Sequence, residues 1–246
     1  MNIVALIGAV AGVGFILIGQ ALEGGNINQL IQITAAFIVF GGTFGAILLS
    51  FPPETLMDAL KSTKIVFFST KINYEVIIQK IITYAQKARK EGVISLEQDA
   101  KTEDDEFLKL GLELVSDGTD PKLVREMLEN KMTQEEAKEA GAAKVWESAG
   151  GFSPTIGIIG AVLGLIQVMQ NLSDPSKLGA GIAVAFVATV YGVGFANLIS
   201  IPMSTNLRFK SKEVMIAREM ILEGILAIQA GESPALIERK LQTYLL

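Results

Sequence analysis

GGFSPTIGIIGAVLGLIQVMQNL, residues Gly150–Leu172, decides the fold. It holds no Asp, Glu, Lys or Arg, yet it follows a long, densely charged stretch. A helix rises ~1.5 Å per residue, so ~20 residues cross a hydrocarbon core of ~30 Å. The segment is long enough to span. Ser153-Pro154 joins an N-cap residue type to a proline, which suits the first turn of a helix, so a helix start is predicted there. Gly157, Gly160 and Gly164 follow at spacings of three and four and therefore share one face. In lipid such a face lets another backbone approach closely. The segment reads as a membrane helix that packs tightly against partners.

Three more stretches lack charge over a spanning length. They are Met1–Leu22, Gly24–Pro53 with its apolar body at Leu30–Phe51, and Leu178–Leu207 with its apolar body at Ile182–Met203. The first pair is a hairpin closed by GGNIN at Gly24–Asn28, and the second is closed by SDPSK at Ser173–Lys177. MNIVALIGAV lacks the positive flank of a signal peptide and reads as a retained span. Basic residues near the membrane ends (Lys61, Lys64, Lys144, Arg208, Lys210, Lys212) place the long middle segment, the tail and both termini in the cytoplasm. The predicted order is a hairpin at 1–51, a cytoplasmic helical domain at 52–149, a second hairpin at 150–207 and a cytoplasmic tail at 208–246. The fold class is all-α, polytopic, with four transmembrane helices and the helical domain between the second and third.

Composition agrees with that reading. Of 246 residues, 50% are hydrophobic and only 19% charged, against about a quarter charged in soluble domains. Mean hydropathy is +0.43. The absence of cysteine and histidine removes disulfides, thiolate sites and the commonest metal ligand and near-neutral base. A net charge of -5 argues against nucleic acid. No Ser-His-Asp set, P-loop or dinucleotide fingerprint is present, so no enzyme, cofactor or metal is expected.

The middle segment reads as helices. Tyr74–Lys90 and Phe107–Val115 repeat at three, four and seven. Asp120-Pro121 opens another helix, Thr133–Glu136 fits a capping box before a helix leading to Trp146, and Glu103–Glu106 reads as a solvated acidic loop. Ser204–Ala230 continues helically from the fourth span, and Ser233-Pro234 starts a last helix. Pro202 reads as a kink near the cytosolic end of the fourth span. None of the spans holds a carboxylate, although intramembrane acids normally mark ion pathways. If the chain conducts an ion, another chain must bring the acid. Thr189 lies near the middle of its span, and its simplest reading is a bond back to its own helix.

SPTIGIIGAVLGLIQVM from Ser153, GIAVAFVATVYGVGFANLISIP to Pro202 and KARKEGVISLEQD at Lys87–Asp99 together resemble the MotA/PomA family of flagellar stator proteins, in the same order and topology. The resemblance implies an inner-membrane, ion-conducting, torque-generating subunit. It implies a pentamer around a MotB-like single-span partner that carries a membrane aspartate, working against the rotor protein FliG. Arg89 and Glu97 match the charges that face the rotor, and Pro154 and Pro202 match the pair that couples ion passage to movement. Sodium-type members carry threonine at the positions of Ala161, Ala188 and Thr189. Two of the three hydroxyls are absent here, which implies proton coupling, with Thr189 on the path. The alternatives are an ExbB/TolQ-type energiser, which normally lacks one helix of the first hairpin, and a sodium-driven PomA-type stator.

Overall fold

The computed structural model describes residues 3–68 and 72–245, apart from the Lys177 side chain. Met1 and Asn2 of the expected first span, and the Lys177 side chain of the second turn, lie outside the described residues. Among the described residues every regular element is helical, and four helices are long and apolar enough to cross a membrane. The chain divides into two compact units.

The first unit comprises residues 3–68 and 138–208. Its helix α1 (Ile3–Leu22) has no buried residue. It is apolar all round and only partly covered by protein, through Ala5 and Gly12 among others, which suits lipid as its solvent. Gly24, at φ +81°, turns the chain back, and a short 3-10 turn at Ile27–Leu30 is closed by a capping box between Asn26 and Gln29. The second span is α2 (Ile33–Ala36), a π turn at Phe37–Gly41 and α3 (Gly42–Ser50). Helix α4 (Pro53–Phe68) follows. It buries Ala59, Ser62 and Val66 and exposes Met57, Leu60 and Phe68. Trp146 Nε1 donates to the Ala59 carbonyl at 3.1 Å, which ties α4 to the third span's helix.

That helix, α8, runs unbroken from Pro121 to Gln170. Two expectations fail on it. Ser153-Pro154 does not start a helix, because Pro154 lies inside α8. Thr133 does not cap one either, and its Oγ1 donates to Glu129 O one turn back. Both signals are local, and the helix runs through both: Thr133 bonds back within it, while Ser153 bonds to the fourth span. After a turn at Asn171–Asp174, α9 (Pro175–Phe195) leads into a π turn at Ala196–Ser200 and then α10 (Ile201–Gln229). The departure from α geometry lies just before Pro202, where Ile201 N–H reaches back to Ala196 O.

The second unit comprises residues 72–137 and 209–245. Its remaining helices are α5 (Tyr74–Glu91), α6 (Leu96–Thr102), α7 (Glu106–Ser116) and α11 (Pro234–Gln242). Their apolar faces meet in one core around Ile81, Phe107, Leu112, Leu128, Met220, Ile225 and Ile237. Gly111 lets α7 close on Ile225, whose Cγ1 would lie 2.8 Å from an added Cβ. The acidic run at Glu103–Glu106 is a loop leading into α7 with Asp104 and Glu106 exposed, but its other two acids are not solvated as expected. Glu103 is 7% exposed and accepts from Lys80 Nζ and Tyr84 Oη, each at 2.7 Å. Asp105 caps α7 through Phe107 N and Leu108 N and pairs with Arg218, which also bonds Glu135 and lies over the Phe107 ring. A run of acids shows no helical period, so its partners on α5 and α10 are invisible in the local sequence.

Candidate functional site

The third and fourth spans meet along a seam of small residues. Gly157, Gly160 and Gly164 are all buried. A Cβ at Gly157 would lie 2.8 Å from Ala188 O, one at Gly160 2.7 Å from Ala188 Cβ, and one at Gly164 2.7 Å from both Ala185 N and Gly181 O. The close approach expected of the glycine face is therefore made within the chain, to the fourth span. The helix this face meets is the fourth span of the same chain. Ala188 is fully buried in the seam and also packs against Ala35 and Val39 of the second span. Its methyl holds the second, third and fourth spans together and is covered on all sides.

Two hydroxyls brace the end of the seam nearest the prolines. Ser153 Oγ donates to Gly192 O at 3.1 Å, and Ser200 Oγ donates to Trp146 O at 2.6 Å. Both serines are fully buried, so each satisfies a polar atom that lipid could not. Pro154 has no N–H and leaves the Gly150 carbonyl without its helical donor. At Gly150 the neighbour is Ile201, whose Cγ1 would lie 2.6 Å from an added Cβ. Ile201 directly precedes Pro202. The two prolines thus flank one close contact, next to the π turn at Ala196–Ser200. Such turns break the regular hydrogen-bond ladder and recur at functional positions.

Thr189 is partly buried, and its Oγ1 donates to Ala185 O at 3.2 Å. Its proton is committed to the backbone, which leaves the hydroxyl oxygen as an acceptor. Ala161 is partly buried and lies seven residues after Pro154 on the same flank of α8. The exposed face of α9 beside Thr189 carries Ile182, Phe186, Val190 and Val193. On the opposite side Tyr191 donates to Leu30 O and accepts from Gln32 N, and it stacks on Phe40 at 5.7 Å. Sequence reasoning missed Ser153, Ser200 and Tyr191 as braces. The signal was available, since a hydroxyl inside an apolar span has to find a partner.

In the second unit Arg89 closes α5 and Glu97 opens α6. Gly92, at φ +83°, and a 3-10 turn at Val93–Ser95 separate them. Both side chains are exposed. Glu97 bonds Lys101 at 2.7 Å, and that hydrogen bond and charge hold its carboxyl below the usual range. Among the described residues Arg89 makes no ion pair. No group of acids able to hold a metal occurs among the described residues.

Four apolar spans without a single Asp, Glu, Lys, Arg or His, carried on helices that elsewhere are charged, define an all-α, polytopic membrane protein. The profile of the MotA/TolQ/ExbB proton channel family matches residues 99–220, and that of the Motility protein A N-terminal family matches residues 6–92. Motility protein A of Helicobacter pylori is 38% identical over 245 residues, which is 100% of this chain and 95% of the relative. Chemotaxis protein PomA of Vibrio alginolyticus is 30% identical, covering 100% of this chain and 96% of the relative. The solved structure of C. jejuni MotAB superposes with a TM-score of 0.93 at 30% identity, covering 100% of this chain and 96% of that one. The flagellar MotAB stator complex from Bacillus subtilis superposes at 0.89 with 31% identity, covering 98% and 95%. The chain belongs to the Motility protein A family, the torque-generating ion-channel subunits of flagellar stators. It is not an enzyme.

Proposed function

We propose that this chain couples proton flow to rotation, as one of five copies around a MotB-like partner in the bacterial inner membrane, with both termini in the cytoplasm. One observation carries the reading. The spans hold no Asp, Glu, Lys, Arg or His, so a proton path through them needs a carboxylate from another chain. A single-span partner with a membrane aspartate supplies it. Residues 52–149 and 208–246 form the cytoplasmic part, and Arg89 and Glu97 face the rotor protein FliG there. Thr189 and Ala161 border the path between the 1–51 and 150–207 hairpins and the partner, while Pro154 and Pro202 pass the movement on. The close Gly150–Ile201 contact and the two serine braces support a joint at the prolines. Proton coupling is favoured over sodium because Ala161 and Ala188 bring no oxygen, and sodium needs several.

The test is swimming speed, with the native partner, at fixed proton-motive force while external sodium is varied. Constant speed, lost on adding a protonophore, is the expected result. Speed that rises with sodium and vanishes without it overturns proton coupling.

A further inference from the structure

The first unit contains a half-open cavity of about 560 Å³ that none of the roles above uses. Its walls include Phe44, Leu48, Met57, Leu60, Trp146 and Phe195. Thr43 is the one wall residue with a side-chain hydroxyl, and that hydroxyl already donates to Val39 O. The walls therefore offer an occupant almost nothing but carbon. Phe44 and Leu48 belong to a span, so the cavity lies partly at hydrocarbon depth, and Leu48 and Leu60 are half or more exposed at its rim.

Charge at the rim identifies the occupant. Lys138 pairs with Asp58, and Lys144 and Arg208 both pair with Glu147. Lys61 and Lys64 have no ion-pair partner among the described residues, and both are exposed. On α4, Lys61 follows Met57 by four residues and Lys64 follows Leu60 by four. Each lysine therefore lies one turn, about 6 Å, beyond a cavity-lining residue on the same face. An apolar slot with two free cations one turn past its mouth matches a molecule with a hydrocarbon tail and an anionic head. We infer that this cavity is a binding site for one acyl chain of an anionic phospholipid, with the net negative charge of its head drawn to Lys61 and Lys64.

Trp146 makes the site directly readable, because it lines the cavity and is the only tryptophan in the chain. Purified protein is reconstituted with either brominated phosphatidylglycerol or brominated phosphatidylcholine at the same mole fraction, and Trp146 quenching is titrated. The expected result is saturable quenching with roughly fivefold or greater preference for the anionic lipid, the scale one lysine near an anionic surface supplies. Lys61→Gln with Lys64→Gln should erase the preference while leaving quenching by the zwitterionic lipid unchanged. Leu60→Gln, at a position already 64% exposed and so tolerant of polarity, should weaken quenching by both lipids. Equal quenching by the two lipids in the unaltered protein, or a preference untouched by the double lysine variant, overturns the site. A second copy of the chain covering the cavity would also overturn it. In that case neither lipid quenches, and Leu60→Cys, the sole cysteine in the variant, cross-links between copies.

Discussion

Replacing Gly164 with alanine tests the seam most sharply. The new Cβ would lie 2.7 Å from Ala185 N, 2.7 Å from Gly181 O and 3.0 Å from Ala185 Cα. All three are backbone atoms, which cannot swing aside. Ordinary carbon contacts begin near ~3.5 Å, so α8 and α9 must separate by roughly 1 Å at this level. A gap of that size forfeits a quarter to a half of each neighbouring contact, and overpacking of this kind costs about 1–3 kcal/mol. Gly14→Ala is the control, because nothing lies within 4 Å of a Cβ there. Unfolding in mixed micelles by stepwise addition of sodium dodecyl sulfate, followed by Trp146 fluorescence, reads both variants. Gly164→Ala should unfold at clearly lower detergent fraction than Gly14→Ala. Equal midpoints would show that the seam is not as tight as these distances require.

Ser200→Ala should cost about 1 kcal/mol in the same titration by leaving Trp146 O without its side-chain donor, and Pro154→Ala should leave assembly intact while lowering swimming speed. Glu97→Lys should impair swimming more than Glu97→Gln, and a compensating reversal on the rotor should restore it; failure of every such swap with normal expression would remove the electrostatic account. Glu103→Ala should destabilise the second unit by about 2 kcal/mol, toward the low end for a broken buried pair because Lys80 can return to water, read by hydrogen exchange in α5. The Glu103 carboxyl is pushed up by burial, but bonds from Lys80, Tyr84 and the Asp105 N–H outweigh that and hold it below its usual value near 4.5. Its contribution is therefore complete above that pH and lost as pH falls through the lowered folded value. Burial first, and then the bond to Glu103, push the Tyr84 hydroxyl up from 10.0. The Tyr84 contribution is complete below pH 10 and lost as pH climbs through the raised value. Protection of α5 should accordingly fall at both extremes, and Glu103→Gln should flatten the acid limb.

The spans were legible because lipid imposes one demand over a whole segment: no charge for the length of a bilayer. Helix periodicity on Tyr74–Lys90 and Phe107–Val115 was legible for the same reason, since many residues repeat one signal. Single-residue signals fared worse. Ser153 has the right chemistry for a cap, yet its hydroxyl reaches a carbonyl 39 positions away. Thr133 bonds back into its own helix, and Glu103 and Asp105 of the acid run are settled by distant helices that local spacing cannot reveal. The glycines were legible as a close-packing face, whereas the identity of the helix they meet was not, because spacing on one helix says nothing about its neighbour. Arg89 and Glu97 came from motif resemblance alone, and nothing in their own exposure separates them from other surface charges.

The π turn at Ala196–Ser200 adds a residue to the helical count of the fourth span. An α-helix advances about 100° per residue, so this turn sets the rotational phase of everything after it. Met203 and Leu207 reach the pocket formed with Val66 and Ala143 only in that phase. Deleting one residue from Ala196–Ser200 would restore a regular helix and turn both side chains about a quarter circle outward. Length is therefore something this five-residue segment has to preserve alongside the buried Ala196 and the Ser200 bond. Substitutions at its exposed positions, Asn197 and Ile199, should be far better tolerated than the loss or gain of a single position.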